Sequence, residues 1–170
     1  MALIVEDGTN VANAESYVSE ADADTYHTAY GNPTAWSGAT SANKEAALRT
    51  ATRYLDAKYR LRWKGARTNG TQILAWPRAD VVDFDDFDLA SNVIPQKLKD
   101  AASVMALRSI AEDILPDVDN PGDVKSESVN VGPISESTEY VGGRSQLKSY
   151  TLVEGLLADL LGAANRLERA

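Results

Sequence analysis

Ile94-Pro95-Gln96-Lys97-Leu98-Lys99-Asp100-Ala101-Ala102-Ser103-Val104-Met105-Ala106-Leu107-Arg108-Ser109-Ile110-Ala111-Glu112-Asp113-Ile114-Leu115-Pro116 decides the fold class. Pro95 suits a first helical position, where a backbone N–H has no helical partner to lose. Pro116 stops the run, because its ring clashes with the turn before it. Between the two prolines, Leu98, Ala101, Ala102, Met105, Ile110, Ala111, Ile114 and Leu115 form a broad apolar stripe. A stripe of this width predicts a helix that buries one side against others. Its alanines let those neighbours come close.

Three further helices are expected around it. Residues 42–59 repeat Ala47, Leu48, Ala51, Tyr54, Leu55 and Tyr59 on one face, with Lys44, Arg49, Arg53 and Lys58 on the other. Ser19, with Asp22 three residues on, reads as the cap of a helix that runs to Gly31. Thr151 and Glu154 form a capping box ahead of Leu156, Leu157, Leu160 and Leu161, and Gly162 ends that run. Leu3-Ile4-Val5 reads as a short strand. Asn69-Gly70 marks a turn before Ile73-Leu74-Ala75-Trp76-Pro77. Val124–Val131 and Ile134–Val141 flank Gly132-Pro133 and predict a protruding β-hairpin or a long loop. The expected fold is mainly α: one domain over 1–170, built as a small bundle of about four helices. Its helical core spans about 19–115 plus 151–162, with the hairpin or loop at 116–150 and a C-terminal tail at 163–170.

Composition narrows the chemistry. The 170 residues include 17 Lys and Arg, 25 Asp and Glu, one His and no Cys, for a net charge of -8. A chain without Cys has no disulfide framework, thiolate zinc site or thiol nucleophile. One His excludes a paired-histidine metal helix within one chain. A pI near 4.6 argues against a general nucleic-acid binder. Met1-Ala2-Leu3-Ile4-Val5-Glu6-Asp7 is too short an apolar run for an export signal, and no stretch is long enough for a membrane span. The expected compartment is the cytoplasm, or an assembly built there.

The charge is sorted along the chain. Residues 1–43 carry six acids and no Lys or Arg, and 44–78 carry nine bases against two acids. Residues 79–124 carry eleven acids against three bases, and 125–170 are nearly balanced. Such blocks either pair inside one fold or dock one copy, or a charged partner, onto another.

Few residues suggest chemistry. Asp83, Asp85, Asp86 and Asp88 lack the Gly and the late Glu of a calcium loop. Asp117-Val118-Asp119-Asn120-Pro121-Gly122-Asp123 places a proline at a ligand position. Both read as solvated acidic loops. His27 has Asp22 and Asp24 nearby but no nucleophile, and reads as a packed or surface histidine. No nucleophile elbow, phosphate loop or dinucleotide fingerprint is present, so no enzyme, catalytic residue, metal or cofactor is expected. The basic, aromatic stretch Tyr59–Arg67, with Arg60, Arg62, Trp63 and Lys64, suits a nucleic-acid contact, the cations on phosphates and Trp63 stacked on a base. The plainer alternative is that Trp63 anchors a helix end while its neighbours face solvent or the Asp-rich segment. Pro77 holds Trp76 out of helical geometry, which makes Trp76 and Pro77 a structural anchor.

Several blocks in order carry a family resemblance. They are Ala2-Leu3-Ile4-Val5-Glu6-Asp7-Gly8, Val11-Ala12-Asn13-Ala14-Glu15-Ser16-Tyr17, Glu20-Ala21-Asp22 with Tyr26-His27, and Ala51-Thr52 through Tyr54-Leu55-Asp56 with Tyr59. Leu74-Ala75-Trp76-Pro77-Arg78, the helix-opening Ile94-Pro95, and Val124-Lys125-Ser126-Glu127 leading to Val131-Gly132-Pro133-Ile134 complete them. Over nearly its whole length the chain resembles the head–tail connector (adaptor) proteins of tailed bacteriophages, often labelled DnaT-like single-stranded DNA-binding. The resemblance implies a virion structural protein in the neck, assembled in the host cytoplasm as a ring of twelve copies. It also implies a portal protein on one side and a stopper or tail terminator on the other. Double-stranded DNA would pass through the lumen without specific binding. On this reading Arg60, Arg62, Trp63 and Lys64, with Leu156, Leu160, Arg166 and Arg169, are the expected interface residues. The alternative is the label itself: a DnaT-like replication accessory that binds single-stranded DNA.

Overall fold

The computed structural model describes residues 2–115, 126–131, 134–139 and 148–162. In chain order they form α1 (Glu20–Ala29), α2 (Thr34–Ser37), α3 (Ser41–Tyr59), β1 (Ala66–Arg67), β2 (Arg78–Ala79), α4 (Gln96–Ala111), β3 (Ser126–Val131), β4 (Ile134–Glu139) and α5 (Thr151–Leu157). A 3-10 turn at Ala158–Leu160 continues α5. The protein is mostly helical, with a small antiparallel hairpin. Two compact units result, Met1–Ile114 with Thr151–Ala170, and Leu115–Tyr150.

The stripe on α4 is the centre of the first unit. It buries Leu98, Ala101, Ala102, Met105 and Ala106, and α3 packs along it with Ala47, Leu48, Ala51, Leu55 and Tyr59 buried. Small residues on both helices permit the close approach. Leu48, Leu55, Leu98 and Met105 are fully buried, and burial of each stabilises the fold by roughly 1.5–3 kcal/mol. α5 adds Val153 and Leu157 against α4. α1 and α2 cover another part of α4, where His27 Nε2 donates to the Ser103 carbonyl at 3.1 Å and the ring stacks on Trp36. His27 is thus a packed residue, and burial lowers its pKa. The neutral ring keeps the N–H that the carbonyl needs.

The Ser19 cap agrees with the sequence, Thr40 caps α3 without having been expected to, and Thr151 is the first residue of α5 rather than a residue before it. Ser19 Oγ accepts from Asp22 N at 3.1 Å and Thr40 Oγ1 from Asn43 N at 3.3 Å. Three boundaries differ. α4 ends at Ala111, with Glu112 in extended geometry, rather than at Pro116. Leu115 precedes a proline and is barred from helical geometry, while Glu112 and Asp113 oppose the negative end of the helix dipole. α5 gives way to the tight turn, and Leu161 is extended. The expected strand at Leu3–Val5 reduces to one parallel bridge, Val5 with Ser16. Asn10 and Asn13 adopt positive φ there, and curl the chain away from a longer ladder. α2 has no counterpart among the helices expected from sequence. Its four residues are too few for periodicity to register, yet they bury Trp36.

The N-terminal loop is built around a buried carboxylate. Glu6 is 3% exposed and accepts the N–H groups of Gly8, Asn10 and Val11 at 2.9–3.0 Å. Gly8 has φ +108 and presses its Cα against Asn92, whose carbonyl oxygen would lie 2.1 Å from a Cβ. Only glycine meets both demands.

In the second unit β3 pairs antiparallel with β4, Val131 opposite Ile134 and Ser126 opposite Glu139. That register is the hairpin expected around residues 132–133. The acidic stretch 117–123 and the tail from 163 lie outside the described residues.

Candidate nucleic-acid interface

Three sequence blocks far apart in the chain meet at one buried knot. The hydroxyl of Tyr17, which is fully buried, donates to Asp56 Oδ1 at 2.5 Å. Asp56 Oδ2 accepts the Ala75 N–H at 2.9 Å, and the Tyr17 oxygen accepts the Trp76 N–H at 3.2 Å. Tyr17 and Asp56 thereby hold the Leu74–Arg78 segment, in which the Trp76–Pro77 peptide is cis. Burial pushes the Asp56 carboxyl up to about 6, against the pull of Tyr17, the Ala75 N–H and Arg78. Burial also drives the Tyr17 phenol well above its usual range. The knot gives a physical role to residues from three of the blocks singled out in the sequence.

Trp76 is fully buried beside Trp63, ring centroids 5.9 Å apart and nearly perpendicular. Trp63 is 7% exposed and meets Tyr59 edge-on at 5.7 Å. Of these rings Trp63 lines an open cleft of about 560 Å³. Arg60 enters it from the end of α3, Arg67 from β1 and Arg78 from β2, with Asp56 and Ile73 also on the wall. The β1–β2 pairing sets Arg67 opposite Arg78. Arg78 Nε donates to the Lys64 carbonyl at 2.6 Å, and its terminal nitrogens donate to Gly65 and Ala75 carbonyls. Arg67 donates to the Gln72 carbonyl at 3.3 Å. Arg60 and Arg67 are exposed. Three guanidinium groups on one concave surface favour anions such as phosphates.

The residues nominated from sequence fall into three groups. Arg60 lies on the cleft. Arg62 and Lys64 are half-buried, and Lys64 Nζ donates to the Val82 carbonyl at 3.0 Å. Trp63 is in the core, 7% exposed where it lines the cleft. On the other segment Leu160 is buried and Leu156 half-buried. The fold joins the two segments to each other. Lys64 N–H donates to the Leu160 carbonyl at 3.0 Å, Gly162 N–H donates to the Arg62 carbonyl at 2.6 Å, and Trp63 bridges Leu161. Arg166 and Arg169 lie outside the described residues. Trp76 and Pro77 are both buried. Arg67 closes the basic, aromatic stretch that the sequence offers as a nucleic-acid contact, whereas Arg78 is not among the contacts expected from sequence. Arg78 stood in a quoted block, but its role depends on the β1–β2 pairing.

The sorted charge is resolved only in part. Lys44 pairs with Glu20 and Asp24, and Arg49 with Glu15 and Glu45. The start of the basic block therefore docks on the N-terminal acidic block. Arg60, Arg67 and Arg78 form no ion pair among the described residues, and neither do Asp85, Asp86 and Asp88. The Asp83 carboxylate instead closes its own loop, accepting from Asp85 and Phe87 N–H at 2.9 Å.

Among the described residues no helix is long and apolar enough to cross a membrane. A family described as "Putative DnaT-like ssDNA binding protein" matches residues 1–170. No curated protein and no solved structure matches.

Proposed function

The chain belongs to the DnaT-like ssDNA binding protein family, and from that premise we propose that it contacts single-stranded DNA through its arginine cleft. The observation that carries this reading is the convergence of Arg60, Arg67 and Arg78 on one open concavity without ion-pair partners among the described residues. The contact is electrostatic and independent of base sequence. Trp36, Trp63 and Trp76 are all buried, so base stacking on tryptophan has no part in it. No catalysis is assigned. Arg60→Ala with Arg67→Ala is expected to weaken binding of an oligonucleotide at low salt about tenfold or more. It should also flatten the slope of log affinity against log salt by roughly 1.4, at about 0.7 for each phosphate no longer neutralised. Fluorescence anisotropy across a salt series measures both. Wild-type protein that binds no oligonucleotide at low salt would end this reading.

A second reading keeps the connector role: a virion ring joining portal to neck or tail, around DNA that is not gripped. It is supported by the ordered blocks quoted above and by the burial of all three tryptophans. The β3–β4 hairpin, a unit of its own, suits a segment that mates with a neighbour. On this reading a chain truncated after Leu161 loses binding to the portal protein in a pull-down. Retention of full binding by the truncated chain would remove the predicted docking role of the tail.

A further inference from the structure

The leftover charges are complementary, and they lie on one chain. The cleft carries Arg60, Arg67 and Arg78, with Ile73 61% exposed beside them. The counterpart is the loop from Asp83 to Asp88. It is a closed turn: Asp83 accepts from Asp85 and Phe87, its own N–H donates to the Phe87 carbonyl at 3.1 Å, and Val82 bridges Asp88. That closure holds Phe84 and Phe87 in solvent, 68% and 70% exposed, among exposed Asp85, Asp86 and Asp88. Two aromatic rings displayed on a hydrogen-bonded loop mark a contact surface, and the carboxylates around them set the sign of what it meets. Lys64 already caps one ring, its ammonium 4.7 Å from the centre of Phe84.

We infer that the Asp83–Asp88 loop of one copy seats in the Arg60–Arg67–Arg78 cleft of a second copy of this chain. The carboxylates meet the guanidinium groups, and the phenylalanines cover Ile73. A second copy is the occupant because the two surfaces match in both respects, acid to base and aromatic to aliphatic. Elsewhere in the basic block Lys44, Arg49 and Lys58 pair with acids of their own protomer. Among the described residues no ion pair joins the cleft to the loop within one protomer. The contact joins two different patches, so it either repeats into a chain or ring or is exchanged reciprocally between two copies. It shares with the DNA reading the premise that the cleft receives anions, but it requires no DNA.

The chain has no Cys, so single introduced cysteines report the contact without background. Asp88→Cys keeps both phenylalanines, and Ala57→Cys lies on the cleft wall. Mixed at low salt with a mild thiol oxidant and no DNA, the two are expected to cross-link about tenfold faster than a control pair. The control is Thr28→Cys, exposed on α1, mixed with Ala57→Cys; a tenfold ratio corresponds to a clear preference over random encounter. Adding Arg60→Asp and Arg67→Asp to the cleft copy should abolish the acceleration. Adding Asp85→Arg and Asp86→Arg to the loop copy should then restore it. Circular dichroism of each variant establishes that it is folded. Cross-linking no faster than the control, or acceleration indifferent to charge reversal, overturns the inference. Because DNA is left out, that result leaves the DNA reading standing, and a failed oligonucleotide shift leaves the cross-link standing.

Discussion

Trp76→Ala is expected to lower the unfolding free energy by about 3–5 kcal/mol, the usual cost of emptying a fully buried aromatic site. Trp76 has no exposed surface, and it lies against Trp63, which lines the cleft. Marginal stabilities run to roughly 5–15 kcal/mol, so this one truncation removes a large share. Trp76→Phe should recover more than half of the loss. The indole Nε1 is buried without a hydrogen-bond partner among the described residues, so phenylalanine forfeits packing area but no hydrogen bond. Urea melts of the three proteins decide it. A loss below about 1 kcal/mol in the alanine variant would mean that Trp76 does not anchor the core.

Asp56→Ala is the second large effect, and its size should depend on pH. Removing the carboxylate strands the buried Tyr17 hydroxyl, at about 1–3 kcal/mol, and takes the acceptor from the half-buried Ala75 N–H. Part of that is returned at neutral pH, because the wild type there holds an ionised carboxylate in a buried site. The sign follows from the raised value of about 6 against 3.8 for an ordinary Asp. The folded state binds the Asp56 proton more tightly than the unfolded chain does. Its contribution to stability is therefore fully present below about pH 4 and falls as pH rises through about 6. The destabilisation caused by Asp56→Ala should be larger at pH 5 than at pH 8. Thermal melts of wild type and variant at those two values measure it. An equal loss at both would show that Asp56 titrates normally, and the buried-knot account of its pKa would fail.

Much of the bundle was legible from local pattern. The stripe between Pro95 and Pro116 located α4, the face from Ala47 to Tyr59 located α3, and Ser19 was a true cap. These signals are short-range, because a helix repeats every 3.6 residues and its caps act within one turn. Boundaries set by competing local terms came out less well, as at Glu112. α2 stayed hidden because four residues carry no period. The blocks containing Tyr17, Asp56 and Trp76 were visible as separate pieces. Nothing in their spacing announced that one hydrogen-bonded knot joins them.

The candidate site was legible only in outline. A basic, aromatic segment at 59–67 was plain, and Arg60 does lie on the cleft. Which of its residues face outward was not plain, since Trp63 looks equally suited to a base or to a core. The Trp63–Leu161 bridge and the Trp76 contact settle that question, and both bring together residues distant in sequence.

The sequence by itself determined the mainly helical class, a hairpin or long loop about residues 132–133, and a charge sorted into blocks. Periodicity, proline geometry and composition are properties of adjacent residues, so a linear reading recovers them. Tertiary structure alone decided which charges are neutralised and which remain. Lys44 and Arg49 found acids on the N-terminal block, while the β1–β2 pairing turned Arg67 and Arg78 into one open cleft with Arg60. Coulomb energy depends on distance in space and on burial, and neither is written in the order of the chain.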